Sequence, residues 1–339
     1  MPPRKPLSLW AVLAMSRANL SIFVPHVGCP HRCSFCNQNT ISGADSLPHA
    51  NDIASICEQA LADGIDPATT EIAFFGGSFT AIPRSYMLEL LEATRPYAAM
   101  GFGIRCSTRP DAITPEILDL LKSYGVTSIE LGVQSMCDEV LEANERGHTS
   151  MDVINAASLV KANGFTLGLQ MMVGLYKSTP ERDMNTASEL IRLGADEVRI
   201  YPVAILNNTK LGDLFLSGEY VPYPLNDAVT LCAELLDMFE SADIRVIKLG
   251  LHASELVEAD LLGGLYHPAF RELCESERFY KLMLERIGSD KSATFTVLPK
   301  DISKALGQKR ANITRFAEKG IEVTIRQNPE QSEKLIRID

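Results

Sequence analysis

The sequence predicts an α/β fold in which short parallel strands alternate with helices and curl into a partial (β/α)6 barrel of the TIM type, followed by a small C-terminal α+β appendage. Three observations carry this expectation. Short β-type runs recur six times between residues 20 and 202. Each is apolar nearly throughout, as strands covered on both faces are. Amphipathic stretches long enough for helices separate them, and repeated right-handed crossovers bend such a sheet toward a barrel, with an open doubly wound sheet as the alternative. The size agrees: 339 residues, 46% apolar and 22% charged, suit one barrel-sized domain with a small addition.

The chain opens with Arg4 and Lys5 ahead of LSLWAVLAM (7–15), positive charge before a short apolar run, which is the outline of a secretory signal. It is read instead as an N-terminal extension over 1–19, because the exposed thiols that follow suit a reducing compartment and a strand begins directly behind it. The strands are LSIFV (20–24), EIAFF (71–75), FGIRC (102–106), SIELG (128–132), TLGLQMM (166–172) and EVRIYP (197–202). Between the third and fourth, Thr114, Pro115 and Glu116 supply an N-cap, a proline at the first helical position and an acid in the first turn. The same device recurs at Thr179, Pro180 and Glu181. The barrel is assigned to 20–250. The remainder, 251–339, has a helix-rich stretch (253–287), then TFTVLP (294–299), DISKALGQKRANITRFAEKG and IEVTIR (321–326), an order of strand, helix, Gly-Gln-Lys-Arg, helix, strand.

A net charge of −11 excludes a surface coated in basic residues for nonspecific nucleic-acid or membrane binding. It leaves room for a local patch, and Lys300–Arg326 is one, with seven basic residues against three acidic. No run of about 18 apolar residues exists, so no membrane-spanning helix and no membrane partner are expected. Cys57, Cys106, Cys137, Cys232 and Cys274 lie in apolar segments without regular spacing, which reads as buried free thiols in the cytoplasm rather than a disulfide framework.

In a barrel the functional groups belong at the C-terminal ends of the strands, and the unusual residues fall there. CPHRCSFC places Cys29, Cys33 and Cys36 behind the first strand, GGSFT (76–80) follows the second, STRPD (107–111) the third, and Gln134 and Ser135 the fourth. Thiolates this close bind a soft metal: either a structural zinc, with His26 or His31 as fourth ligand, or an iron–sulfur cluster. A zinc ribbon has a second ligand pair, and none follows. A cubane held by three cysteines leaves one iron open to an external ligand, a catalytic arrangement.

With Cys-x3-Cys-x2-Cys in that loop and Phe35 just before the last cysteine, the chain resembles the radical S-adenosylmethionine (SAM) enzymes. The resemblance implies a partial barrel of the radical SAM type, a [4Fe–4S] cluster on Cys29, Cys33 and Cys36, and SAM on the open iron. It also implies a one-electron reductant of the flavodoxin or ferredoxin type, whose electron cleaves SAM to a 5′-deoxyadenosyl radical. STRPD, ELGVQSMCDEVLEANERGHT (130–149), GFTLGLQMMVGL (164–175) and VRIYP (198–202) further resemble the radical SAM domain of the Elongator catalytic subunit and its prokaryotic relatives, over roughly residues 20–250. Elongator proteins have a longer cysteine spacing and an acetyltransferase domain. No acetyl-CoA loop is recognisable in this chain, so acetyl transfer is not implied.

By the same resemblance Gly76 and Gly77 let the backbone approach the SAM amino group, with Ser78 at a third position that is often acidic or threonine. Thr108, Arg109 and Gln134 offer polar contacts to ribose or carboxylate, Thr108 being otherwise an ordinary turn residue. Arg146 matches a position that pairs with the SAM carboxylate, against the alternative of a surface salt bridge. Arg199 and Tyr201 share one strand face and either reach substrate or fill the barrel floor. His148 reads as a capping or core histidine before a ligand or acid, and Met171 and Met172 as lining of pocket or core. The tail resembles the minimal core of a KH domain, whose loop clamps a nucleic-acid backbone. Arg310 replaces the second glycine of that loop and the segment is short, so the match is incomplete: the first reading is a structural βααβ cap, and the competing one is an RNA clamp with Lys309 and Arg310 as the contact. Three functions stand: an Elongator-like radical enzyme on RNA such as tRNA; a radical enzyme for a small metabolite or tetrapyrrole, like coproporphyrinogen oxidase; and a non-catalytic iron–sulfur or zinc-binding protein, which would leave GGSFT and the polar strand ends without a task.

Overall fold

The computed structural model describes residues 18–24, 28–30, 32–37, 40–41 and 46–339. The N-terminal extension assigned to 1–19 lies outside the described residues up to residue 17, and Ala18 and Asn19 already belong to the first strand.

In chain order the strand–helix alternation runs β1 (Ala18–Val24), α1 (Ala50–Ala62), β2 (Thr70–Gly76), α2 (Arg84–Ala99), β3 (Gly103–Thr108) and α3 (Pro115–Ser123). It continues with β4 (Ser128–Gln134), α4 (Asp138–Ala143), α5 (Ser150–Ala162), β5 (Thr166–Val173), α6 (Pro180–Arg192) and β6 (Glu197–Pro202). A short β7 (Ala204–Leu206) leads to α7 (Lys210–Leu216), α8 (Leu225–Ser241), β8 (Arg245–Leu249), α9 (Glu255–Asp260) and β9 (Leu261–Gly264). The tail holds α10 (Phe270–Ile287), β10 (Ser292–Val297), α11 (Ile302–Leu306), α12 (Ala311–Glu318), β11 (Glu322–Gln327) and β12 (Leu335–Arg337). Both Thr-Pro-Glu starts cap as their chemistry requires: Thr114 accepts from the Ile117 amide and Thr179 from the Arg182 amide, each at 3.3 Å.

The main sheet has seven strands in the order β1-β2-β3-β4-β5-β6-β8, every neighbouring pair parallel. The six strands of the prediction are all in it. The seventh, β8, was not foreseen, because RVIKL carries two cations in five residues and does not read as a covered strand. β9 also corrects the sequence reading: residues 261–264, inside the stretch read as helical, pair antiparallel with β7. Among the described residues β1 and β8 are the two unpaired ends of the sheet, so the architecture is a partial barrel.

The barrel floor is ionic. Arg105 on β3 is buried and donates from Nε to Glu71 on β2 at 2.7 Å and from Nη1 to Glu130 on β4 at 2.8 Å, and it also pairs with Glu197 on β6. Glu130 is held from the other side by Arg199, Nε and Nη2 at 2.8 and 3.0 Å, and Glu197 by Arg245 at 2.6 Å. Three carboxylates thus meet three guanidiniums across five strands. Burial alone would raise the Glu130 carboxyl, but the Arg199 and Arg105 charges overcome it and hold the group below its ordinary range. Arg199 therefore belongs to the floor.

Apolar burial divides in two. The larger core packs the helices on the barrel sheet, and a smaller one gathers Phe279, Met283, Phe295, Phe316 and Leu335. α10 serves both, giving Phe270 and Cys274 to the first and Phe279, Tyr280, Met283 and Ile287 to the second. In the tail sheet β10 is central, parallel to β11 and antiparallel to β12, so the strand–helix–loop–helix–strand order read from sequence is present. Among the described residues no helix is long and apolar enough to cross a membrane.

Replacing Arg105 by Met leaves three buried carboxylates short of a partner, which costs about 3–5 kcal/mol. Urea unfolding is expected to register that loss, whereas breaking the exposed Arg192–Glu189 pair should change stability by less than about 1 kcal/mol. An Arg105→Met protein as stable as wild type would show that the floor network does not hold the barrel.

Candidate functional site

The three cysteines follow β1 in a loop whose shape is set from outside it. Ser34, between Cys33 and Cys36, is clamped by Asn144 just past α4: the Ser34 amide donates to the Asn144 carbonyl at 3.0 Å and its hydroxyl to the Asn144 side-chain oxygen at 2.8 Å. Asn144 is itself fixed by donating to the Val140 and Tyr176 carbonyls at 2.8 and 2.9 Å. The Ser34 carbonyl accepts from the Leu211 amide of α7 at 2.7 Å. At the start of the loop Gly28 sits at φ +80°, and a Cβ there would lie 2.5 Å from the Ser78 carbonyl oxygen. Only glycine allows the cysteine loop to press so closely on the loop after β2.

The cysteines open into a cavity of about 230 Å³ at the C-terminal ends of the strands. Gly76 and Gly77 of β2, Thr108 and Arg109 of β3, Gln134 of β4 and the side chain of Arg146 line it, so most of the residues singled out in the sequence come together here. The Gly77 amide already donates to the Val24 carbonyl at 2.8 Å and is not available to a ligand. Ser78 is fully buried behind the wall. Its hydroxyl bonds Thr108 Oγ1 at 2.8 Å and accepts from the Arg109 amide at 3.2 Å, so its side chain braces the wall, while its backbone amide reaches the Cys29 thiol. Thr108 is further tied to Thr80 at 2.6 Å.

Arg146 is not a surface salt bridge. It is buried, donates from Nη2 to the Gly132 carbonyl at 2.6 Å and from Nη1 to Cys33 Sγ at 3.2 Å, and its Nε is unpartnered. No carboxylate pairs with it among the described residues. A Cβ at position 132 would stand 2.6 Å from Arg146 Nη2, so the guanidinium reaches the cavity across a glycine. Arg109, by contrast, is paired in a fork with Asp111 at 2.9 Å twice, leaving Nη1 without a partner. Gln134 has φ 68°, costly for a residue with a side chain, and its buried Oε1 is unpartnered. His148 is buried with Nε2 3.2 Å from the Val133 carbonyl, and burial followed by the Arg146 and Arg109 charges pushes its pKa down to about 4, which fits the core reading.

The thiols fit a cationic cluster. Burial pushes the Cys29 thiol above its ordinary range, and Cys33 beside it acts the same way. Cys36 is pushed up to about 12 by burial and then by Cys33 and Cys29. Thiols raised in this way, as Cys29 and Cys36 are, become metal ligands only around added positive charge. Among the described residues no three donors converge closely enough to share one ion, whereas sulfurs spread around one cavity suit separate metal atoms of a cluster. His26 and His31, the other ligands of the zinc reading, lie outside the described residues.

Sequence reasoning missed Gly28, Asn144 and Gln170. Gln170 Nε2 bonds Glu130 at 2.6 Å and Ser107 at 3.3 Å while lining the cavity, joining the site to the ionic floor. A lone glutamine inside TLGLQMM was the available signal. Met171 is fully buried core, and Met172 packs against that core.

Residues 23–190 match the family model of the radical SAM superfamily, and residues 195–279 that of the radical SAM C-terminal domain. The chain is 31% identical to human Elongator complex protein 3 over 188 residues, covering 49% of this chain and 34% of that protein. It is 34% identical to a tRNA uridine(34) acetyltransferase of Methanocaldococcus jannaschii over 127 residues, covering 37% of this chain and 24% of that one. The solved structure of Methanocaldococcus infernus Elp3 with an N-terminal deletion superposes with a TM-score of 0.63 at 20% identity, covering 82% of this chain and 65% of that one. The chain thus spans about a third or less of these two sequence relatives.

Asn144→Ala removes the side-chain part of the clamp on Ser34, leaving the bond to the backbone carbonyl, and is expected to cost about 2 kcal/mol in local stability. Arg32 is exposed in the same loop, so trypsin cleavage after it should accelerate by on the order of tenfold or more. Unchanged cleavage would mean that Asn144 does not hold the loop.

Proposed function

The chain belongs to the radical SAM superfamily of enzymes, and from that premise we propose that it holds a [4Fe–4S] cluster on Cys29, Cys33 and Cys36, binds SAM beside it, and modifies RNA, with tRNA as the substrate class. The observation that carries the cofactor part is Arg146, a buried guanidinium bonded to Cys33 Sγ with no carboxylate partner among the described residues. A reduced cluster held by the three cysteines would supply the one electron that cleaves SAM to methionine and a 5′-deoxyadenosyl radical, the species that would take a hydrogen atom from substrate. Arg146 orients the cofactor, its planar fork suiting the methionyl carboxylate. Gln134 accepts from a ribose hydroxyl through its unpartnered amide oxygen. Ser78, through Thr108 and the Arg109 amide, keeps the wall of the site fixed. A flavodoxin- or ferredoxin-type donor in a reducing cytoplasm supplies the electron.

Support for RNA comes from the tail as well as from the tRNA enzyme among the relatives. In the Gly-Gln-Lys-Arg loop Gly307, Lys309 and Arg310 have φ of 77°, 52° and 63°. Asn312 Nδ2 holds the loop to its surroundings, donating to the Ser276 and Ala305 carbonyls at 3.0 and 3.1 Å. Two successive left-handed residues with side chains persist only where the surroundings fix them. Lys309 and Arg310 are exposed, and no ion pair involves either among the described residues, while Lys304 is paired with Asp301 at 3.1 Å. Two free cations on a rigid loop suit backbone phosphates.

After anaerobic reconstitution the protein is expected to hold one cubane cluster and, with a strong reductant, to release 5′-deoxyadenosine from SAM. Cys29→Ala, Cys33→Ala or Cys36→Ala should each abolish both, whereas Cys57→Ala and Cys232→Ala, in the apolar core, should abolish neither. Stoichiometric zinc without iron would sink the cofactor reading.

Joint replacement of Lys309 and Arg310 by Glu should weaken binding of bulk tRNA and lower the slope of log affinity against log salt by about 0.7 per lost contact. Weak, salt-insensitive binding by the wild type would transfer the proposal to a small metabolite or tetrapyrrole.

A further inference from the structure

The barrel interior contains a second cation without a counter-charge. Strand register places Gly132 beside Gln170, Gln170 beside Arg199, and Arg199 beside Lys248, a single row across β4, β5, β6 and β8. Its first member touches Arg146, and its last is on the strand that borders the open side of the barrel. With about 4.8 Å between strands, the row spans on the order of 14 Å. Arg199 of this row reaches down to Glu130, and with it the floor is balanced, Glu71, Glu130 and Glu197 against Arg105, Arg199 and Arg245. Lys248 is surplus to that balance. Among the described residues its ammonium has neither a carboxylate nor a hydrogen-bond acceptor, and the charged groups that act on it are Arg199 and Arg271, both cations.

We propose that Lys248, with His252 beside it on the loop after β8, is an anion subsite that takes a phosphate of the substrate at the open side of the barrel, and that this phosphate belongs to the RNA backbone. The proposal rests on the RNA reading above for the source of the phosphate, but not for the subsite. A half-buried ammonium facing only cations is costly, and an arriving phosphate anion relieves that cost. Burial, then Arg199 and Arg271, push the Lys248 pKa down, and burial with Lys248 does the same to His252, as expected of groups waiting for negative charge. The row separates two uncompensated cations: Arg146 at the cysteines, suited to the cofactor carboxylate, and Lys248 on the far strand, suited to the phosphate. A nucleotide anchored at Lys248 would lay its sugar and base over Gln170 and Arg199 toward the cavity. Among the described residues the sheet is unclosed between β1 and β8, the side from which a polymer would enter.

Two measurements test this on the full chain. Amine labelling of Lys248 with a small acylating reagent, read by mass spectrometry, should be slowed by tRNA, and by AMP or inorganic pyrophosphate at higher concentration. Lys248→Gln should weaken tRNA binding by about threefold or more and lower its salt slope by about 0.7, and Lys248→Arg should restore both. Protection by AMP or pyrophosphate, with no tRNA binding by the wild type, would support the subsite and overturn its assignment to RNA. Normal tRNA binding by Lys248→Gln, together with loss of binding in the Lys309 and Arg310 double variant, would overturn the subsite and leave the RNA reading standing. Labelling unaffected by every phosphate ligand overturns the proposal even if Lys248→Gln does not fold.

Discussion

Arg105 joins three glutamates from three different strands inside the barrel, and most of the structure follows from that contact. Six charges in a place with little water are tolerable only when each has opposite charge or a hydroxyl within hydrogen-bond distance. Glu71 has Arg105 and Ser128, Glu130 has Arg105, Arg199 and Gln170, and Glu197 has Arg105 and Arg245. A slip of one residue in any of these strands would turn its charge into the apolar layer under the helices. The network therefore fixes register where apolar packing, which tolerates exchange of one aliphatic group for another, would fix it less sharply. It also fills the lower barrel with side chains, so the open volume lies at the C-terminal ends of the strands.

The site above that floor is assembled from segments remote in sequence. The cysteines are held by Asn144, which is more than a hundred residues away, and by the start of α7. Arg146 follows Asn144 by two residues and reaches Cys33 from the same turn. One short segment after α4 thus both clamps the cysteine loop and places a cation against it. Arg109 also brings charge to the site, acting on His148 and Cys29, but unlike Arg146 it is engaged by a carboxylate, Asp111.

α10 makes the tail part of the same body. One half of the helix is buried against the barrel and the other against the tail sheet. Ser276, near its middle, receives two bonds from Asn312 at the base of the Gly-Gln-Lys-Arg loop, 3.0 and 3.1 Å. The exposed cations of that loop are in this way fixed relative to the helix that also packs on the barrel.

The sequence by itself determined the alternation of strands and helices, the strand ends at which function collects, and the three thiols. Each is a local property, carried by periodicity, by caps such as Thr114 and Thr179, or by spacing within eight residues. It did not reveal β8, because Arg245 and Lys248 look like surface residues until the strands beside them supply Glu197 and Arg199 as neighbours. Nor could it reveal that the Ser78 side chain is turned into the cavity wall, that Asn144 grips the cysteine loop, or that among the described residues Arg146 lacks a carboxylate while Arg109 has one. Those facts depend on which groups meet across strands and loops far apart in the chain. The energy of a buried charge or an unpaired amide is set by those neighbours, and only the tertiary structure decides them.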